Sequence, residues 1–262
     1  MTERSAAGPV VGIVGGGQLA RMLAEAATPM GIHVRVLAAP GDEGAVEVVP
    51  DVQFGEPHDP AALASFAATV DVVTFDHENV DHEALALLQE QGVAVRPGVE
   101  TLRFSDKAYQ RAVFSSAGLP VPPFAVVDPV ADQATAEAAA RAFAAEHADA
   151  HGRVVAKASR GGYDGRGVWV LDGDELSVFI GEYDGAPLVL EPLLALESEV
   201  AVLVARRPSG EVRAWPVFET VQVNGMCDEV YTPATLDEVT AGAADRLARS
   251  VAEVTGAVGV IA

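Results

Sequence analysis

Apolar and polar positions in the first hundred residues switch repeatedly between two periods. Val10-Val11-Gly12-Ile13-Val14 is a β-branched run that predicts a buried strand, and it runs into Gly15-Gly16-Gly17. From Gln18 to Met30 the apolar residues Leu19, Met22, Leu23 and Ala26-Ala27 recur at helical spacing. Val34 to Leu37 reads as a second strand, closed by the turn Pro40-Gly41-Asp42. Asp59-Pro60 opens a helix to Ala68, because an acid caps free N–H groups and proline fits the first helical position. Asp71 to Phe75 is another strand, and His82 to Gln91 another helix, with Gly92 ahead of Val93-Ala94-Val95. Strands alternating with helices predict a doubly wound parallel sheet.

The pattern then changes. Phe104 to Ala117 predicts a helix stopped by Gly118, and Leu119-Pro120-Val121-Pro122-Pro123 a rigid extended connector. An Ala-rich helix spans Thr135 to Ala148, followed by strands at Arg153 to Ala158 and Val168 to Leu171. A helix over Glu175 to Tyr183 and a strand over Pro187 to Glu191 come next. Strands at Glu199 to Ala205, Val212 to Phe218 and Glu229-Val230-Tyr231 have an antiparallel character, with Pro208-Ser209-Gly210 as a turn. Leu236 to Thr255 predicts a last helix before the strand Val258-Gly259-Val260-Ile261.

Composition narrows the function. Of 262 residues, 50% are hydrophobic and 21% charged, with mean hydropathy +0.23, which excludes a disordered or fibrous chain. The balance of 17 Lys+Arg against 38 Asp+Glu gives −21. No broad basic face survives that surplus, so neither nucleic acid nor an anionic membrane is an expected partner. The start, Met1-Thr2-Glu3-Arg4, lacks an apolar segment behind it, and no apolar stretch approaches the roughly 18 residues of a membrane span. With a single cysteine, Cys227, the expectation is a cytoplasmic protein without disulfides. The basic residues themselves are uneven: 15 are Arg, and the two lysines are Lys107 and Lys157. A compact ammonium is a common point charge for phosphate.

Three segments carry candidate chemistry. Gly12-Ile13-Val14-Gly15-Gly16-Gly17 joins a strand to a helix through a glycine turn, a form that suits a phosphate at the helix N-terminus. A dinucleotide site would add an acid at the end of the second strand, where Val36-Leu37-Ala38-Ala39 has none. A smaller phosphorylated ligand and a plain structural turn both remain open from these residues. Lys157-Ala158-Ser159-Arg160-Gly161-Gly162-Tyr163-Asp164-Gly165-Arg166-Gly167-Val168 places four glycines and two arginines between two strands. It lacks the Gly-Lys-Ser/Thr of a Walker loop, and the alternative is a hairpin that folds over a polyphosphate, with Lys157 beneath. Leu188-Val189-Leu190-Glu191-Pro192-Leu193-Leu194, followed by Glu197 and Glu199, is an apolar strand ending in an acid and a bend, suited to a purine edge and ribose hydroxyls. The six histidines show no metal-ligand spacing.

Together these residues resemble the N5-carboxyaminoimidazole ribonucleotide synthetase family of ATP-grasp ligases. The matching stretches are Gly15 to Met22, Asp71 to Val80, Arg103 with Lys107, Gly161 to Val168, and Glu191 to Leu194 with Glu199. The resemblance implies an α/β and α+β ATP-grasp fold. It comprises a doubly wound N-terminal pre-ATP-grasp domain at 1–100, a connecting helix at 101–118, a small lid at 119–184 and an incomplete C-terminal domain at 185–262. It implies ATP-dependent carboxylation of 5-aminoimidazole ribonucleotide (AIR) by bicarbonate through carboxyphosphate, in a cytoplasmic homodimer. Arg103, Lys157 and Gly162 to Val168 (Gly162, Tyr163, Asp164, Gly165, Arg166, Gly167 and Val168) match ATP-contacting positions. Glu191, Pro192, Leu193, Leu194 and Glu199 match adenine and ribose contacts. Gly16, Gln18 and Leu19 match the turn that holds the AIR phosphate, and Glu78 a contact to its ribose. Tyr163, Asp164 and Arg166 fall where AIR and bicarbonate meet, Asp164 acting on the amine and Arg166 steadying the anion, with Lys157 completing the catalytic set.

Two departures accompany the resemblance. Gln222 stands where many relatives carry a His near the nucleotide, and an amide cannot carry charge. The family's metal-binding Glu, an Asn-Glu pair and a basic segment would follow Ala262, so Mg2+ is expected with its carboxylate ligands beyond residue 262. Residues 1–262 by themselves are therefore expected to have little or no ligase activity. Other readings are a different ATP-grasp ligase, such as a formate-dependent glycinamide ribonucleotide transformylase, and a catalytically incomplete nucleotide-binding fragment. A dinucleotide oxidoreductase is disfavoured by the missing acid.

Overall fold

The computed structural model describes residues 8–77, 80–162, 166–223 and 225–262. The chain forms two compact units, one up to Leu102 with Ala257–Gly259, the other Arg103–Gly256 with Val260–Ala262.

In the first unit, β1 (Val10–Val14), α1 (Gln18–Ala27), β2 (His33–Ala38), β3 (Val52–Phe54), α2 (Pro60–Ala67), β4 (Val72–Phe75), α3 (His82–Glu90) and α4 (Val99–Leu102) follow in order. The strands form a parallel sheet in the order β3-β2-β1-β4. Side chains alternate between its faces. Ile13, Val34 and Val36 pack with Ala20, Ala24 and Ala27 of α1, whereas Val14, Leu37 and Val73 pack with Leu63, Phe66, Leu85 and Leu88 of α2 and α3. Gly12 is required by that packing, since a Cβ there would fall 2.8 Å from the Phe66 ring. Val14 pairs with both Leu37 and Phe75, so the turns after β1, β2 and β4 meet at one edge. The chain leaves β1 for β2 on one side and reaches β4 on the other, a topological switch point where α/β sheets bind ligands.

The expected apolar stripe on α1 points the other way. Leu19, Met22 and Leu23 are exposed, and the helix sits on the sheet through its alanines, whose small side chains allow close approach. Val93-Ala94-Val95 makes only an isolated parallel bridge, Val73 to Val95.

The second unit begins with α5 (Lys107–Ser116), β5 (Ala125–Val127), α6 (Gln133–His147), β6 (Val154–Ala158), β7 (Val168–Leu171), α7 (Gly173–Glu182) and β8 (Leu188–Pro192). Its first sheet is antiparallel, in the order β5-β8-β6-β7. One face, with Val154, Ala156, Leu188 and Leu190, packs on Ala136, Ala140 and Phe143 of α6 and on Leu176 and Ile180 of α7. By alternation the opposite face carries Val155, Lys157, Val189 and Glu191.

The remainder comprises β9 (Glu199–Ala201), β10 (Val204–Arg206), β11 (Val212–Ala214), β12 (Phe218–Val223), β13 (Met226–Tyr231), α8 (Glu238–Thr255) and β14 (Gly259–Ile261). The strands expected at Glu199 to Ala205 and Val212 to Phe218 are each broken, because their halves pair in different sheets, β13-β12-β9 and β11-β10-β14. Val202 and Val204 bury against Ala252 of α8.

Part of the acidic surplus has a local cause. Asp59, Asp81, Asp106, Asp132, Asp172 and Asp237 cap α2, α3, α5, α6, α7 and α8, each accepting from N–H groups of the first turn. No helix among the described residues is long and apolar enough to cross a membrane.

Candidate active site

In the second unit the sheet face away from α6 and α7 carries a charge cluster. Val155 pairs with Glu191 and Lys157 with Val189, so Lys157 and Glu191 are diagonal neighbours within reach of each other. Lys157 Nζ donates to Glu191 Oε2 at 2.5 Å, and Arg111 Nε of α5 donates to Oε1 at 2.6 Å. Glu191 is 4% exposed. Burial pushes its carboxyl up, but the hydrogen bonds from Lys157 and Arg111 and their charges outweigh that and hold it below the ordinary range. Both Glu191 oxygens thus accept from protein cations. Arg111 was not among the expected site residues.

Around the glycine loop, the Lys107 N–H donates to Ser159 O at 2.8 Å and brings the start of α5 to the end of β6. Lys107 Nζ lies 3.6 Å from the place of a Cβ on Gly162, and the Arg166 carbonyl oxygen 2.7 Å from it, so the two ends of the loop nearly touch. Val168 opens β7 opposite Lys157. Arg160 is engaged by the α5 cap, Nε to Asp106 Oδ2 at 3.0 Å. Arg103 lies in a turn before α5 with its guanidinium 4.3 Å over the Tyr109 ring, a cation–π contact. Tyr163, Asp164 and Gly165 fall outside the described residues, as does Glu78.

Pro192 ends β8, Leu193 is half-buried and Leu194 exposed. Glu199 of β9 faces β12, where Gln222 Nε2 donates to its Oε1 at 2.8 Å and Thr220 Oγ1 at 3.1 Å. Gln222 therefore orients the Glu199 carboxylate.

The first unit holds a cleft of ≈ 290 Å³ at the switch point, formed by Gly15–Gly17, Ala39, Asp42, Glu56, Pro57, His58, Asp76 and His77. Its glycine N–H groups are already engaged. Asp42 Oδ2 accepts from Gly16 at 3.2 Å and from Ala39 at 2.9 Å, and Asp76 Oδ2 accepts from Gly17 at 3.1 Å. Burial raises the Asp76 carboxyl above its ordinary value, with Asp42 adding to the rise, against His77 and the Gly17 N–H. In this structure the turn's acids, Asp42 and Asp76, accept from the Gly16 and Gly17 N–H groups. Gln18 and Leu19 open α1 directly behind. In the sequence Asp42 stands out only as part of a turn, and Asp76 only as part of a matching stretch.

Comparison with known proteins now decides the family. Residues 9–106 match the ribonucleotide synthetase preATP-grasp domain and residues 112–262 the ATP-grasp domain. The N5-carboxyaminoimidazole ribonucleotide synthase of Brucella melitensis is 32% identical over 257 residues, covering 97% of this chain and 68% of the relative. The chain belongs to the N5-carboxyaminoimidazole ribonucleotide synthase family of ATP-grasp proteins. The synthase of Mycobacterium leprae is 42% identical over 259 residues, 97% of this chain, and the chain spans 58% of that relative's length. In three dimensions the chain is similar to the family's Aspergillus clavatus structure in complex with ADP and 5-aminoimidazole ribonucleotide. The TM-score is 0.81, with 26% identity, over 97% of this chain and 65% of that one.

Proposed function

We propose that the protein carries out ATP-dependent carboxylation of 5-aminoimidazole ribonucleotide with bicarbonate, a carbon–nitrogen ligase step in purine biosynthesis. The observation that carries this reading is the succession in one chain of a preATP-grasp match and an ATP-grasp match, with Lys157 on the strand that feeds the glycine loop. The ligands named for the Aspergillus clavatus structure, ADP and the ribotide, support the same pair of substrates.

In this reading a bicarbonate oxygen attacks the γ-phosphorus of ATP, the bond to the ADP oxygen breaks, and carboxyphosphate forms. The exocyclic amine then attacks the carboxyphosphate carbon, inorganic phosphate leaves, and Asp164 takes the amine proton. Lys157, Gly162, Gly167 and Val168 attend the triphosphate, and Arg166 the carboxyphosphate. Cations fixed beside developing phosphate charge lower the barrier without reorganising at the moment of reaction. Glu191, with Arg111, holds Lys157 at the sheet face, and Glu191, Leu194 and Glu199 serve the adenine and ribose of the nucleotide. Gly16, Gln18, Leu19 and Glu78 serve the ribotide. In sequence, the 1–100 domain is followed by the 101–118 connecting helix of the C-terminal domain, the lid at 119–184 and the 185–262 portion of the C-terminal domain.

The family resemblance also carries Mg2+ and a cytoplasmic homodimer. Among the described residues no three His, Cys, Asp or Glu side chains come together as ligands, so no magnesium ligand is assigned among them. Sedimentation of the purified protein tests the dimer.

The reaction is tested by ADP release from the full-length protein with ATP and AIR, with and without bicarbonate. Bicarbonate-dependent release is expected. Dependence on formate instead would point to a transformylase, and nucleotide binding without turnover to a non-catalytic role. Asp164→Asn should spare ATP binding and impair carboxylation.

A further inference from the structure

Glu191 gives Oε2 to Lys157 and Oε1 to Arg111, and the bond from Arg111 is a single one, through Nε. An arginine fork frequently closes on a carboxylate with two parallel bonds, which here would claim both oxygens. What prevents it lies one residue back in α5. Gln110 Oε1 accepts from Arg111 Nη1 at 2.6 Å and turns that end of the guanidinium away from Glu191. Adjacent helix positions point about 100° apart, so helix geometry alone does not bring these two side chains together. The other end of the amide fixes it: Gln110 Nε2 donates to the Phe104 carbonyl at 3.2 Å. A flipped amide would set donor against donor and acceptor against acceptor, so one orientation serves both contacts. Phe104 is itself held, its ring centroid 5.2 Å from that of Tyr109 and 5.5 Å from that of Phe114. Hydrogen bonds thus run without a break from the turn that carries Arg103, through Gln110, Arg111 and Glu191, to Lys157.

We propose that Gln110 is a positioning residue for nucleotide binding: by holding Arg111 to one Glu191 oxygen it reserves the other for Lys157 and keeps that ammonium at the sheet face. The inference rests on the ATP reading above and deepens it by naming a residue that governs how Lys157 is presented to the phosphates. Without the amide, the freed guanidinium can take both oxygens, and Lys157 loses its fixed place.

The test is a cycle of ATP titrations on the full-length protein: parent, Gln110→Leu, Lys157→Met and the double variant, with AIR binding measured alongside. Leucine keeps much of the bulk and removes the amide. Gln110→Leu should weaken ATP about fivefold or more, the scale of one net hydrogen bond, with AIR affinity unchanged. With Lys157→Met already present, the same substitution should change ATP affinity less than about twofold, because the group it acts through is gone. ATP affinity equal to the parent's in Gln110→Leu overturns this assignment alone. So does the same loss with and without Lys157, or an equal loss for AIR. A parent protein that binds no ATP overturns the nucleotide reading and this one with it. Should Gln110→Leu fail to fold, the Arg111 15Nε resonance of the parent decides. ATP, and not AIR, should shift it as Lys157 leaves the shared carboxylate, and a resonance that ATP leaves unmoved overturns the assignment.

Discussion

Lys157 and Glu191 lie diagonally across the ladder between β6 and β8, on the face turned from α6 and α7, with Nζ 2.5 Å from Oε2. Arg111 closes the same carboxylate from the other side, and Glu191 is the counter-charge for both cations. Glu191→Gln removes the one anion and leaves two cations facing a neutral amide. Lys157 and Arg111 keep 27% and 19% side-chain exposure, so water relieves part of the penalty. The expected loss is about 2–3 kcal/mol, below that of a fully buried pair. Urea unfolding of parent and variant measures it. The carboxyl is depressed, so its contribution is present above the unfolded value and fades as pH falls through the folded one. The difference between parent and Glu191→Gln should therefore shrink in acid, and a difference constant with pH would refute the charge clamp.

Lys157→Met tests the other end of the same contact. The substitution keeps the stem and removes the ammonium, while Glu191 retains Arg111. If Lys157 exchanges Glu191 for an ATP phosphate, the variant should bind ATP roughly 10- to 100-fold more weakly, the scale of one charge-assisted hydrogen bond. Fluorescence titration with an ATP analogue reads this directly. Unchanged affinity would leave Lys157 a purely structural partner of Glu191.

How far the sequence carried this picture depends on the range of the interactions. The strand, glycine turn and helix of Val10 to Ala27 were legible because period and turn chemistry are local. The buried face of α1 was not, since whether Leu19, Met22 and Leu23 or the alanines meet the sheet is settled by packing distance. The break between Ala201 and Val204 was hidden because β9 and β10 choose partners in different sheets. Arg111 was one of 15 arginines, and its partner Glu191 lies 80 residues away. Asp42 and Asp76 looked like acids in turns. Only the strand order brings them to the glycines from distances of 26 and 59 residues.

Asp149 offers a titration free of the active site. Its carboxylate accepts from the Arg153 side chain at 3.0 and 2.8 Å and from the Arg153 and His151 N–H groups at 2.9 Å. The Arg153 side chain first, and its backbone next, hold the carboxyl down to about 2. Hydrogen bonds to the ionised form favour it, so the clasp between α6 and β6 is present above the unfolded value and lost as pH falls toward about 2. The Asp149 13C carboxyl resonance should titrate there, and Arg153→Gln should move the midpoint up toward the ordinary value near about 3.9. A parent midpoint already at that ordinary value would mean the clasp does not form in solution.

Gly15 and Gly31 separate conformational strain from steric conflict. Both have positive φ, +111° and +67°, so alanine at either is strained. Gly31 caps the short turn after α1 and has nothing within 4 Å of a new Cβ, so Gly31→Ala should cost only that strain, about 1–2 kcal/mol. At Gly15 the same methyl would fall 1.7 Å from Asp76 Oδ1, and the carboxylate cannot yield without losing its bond from Gly17. Gly15→Ala should therefore cost at least about 1 kcal/mol more than Gly31→Ala, the scale of a lost hydrogen bond. In the double variant Gly15→Ala with Asp76→Gly the carboxylate is gone, and the extra cost should largely disappear. Urea midpoints of the single and double variants measure the coupling, and strictly additive effects would show that Gly15 and Asp76 do not contend for the same space.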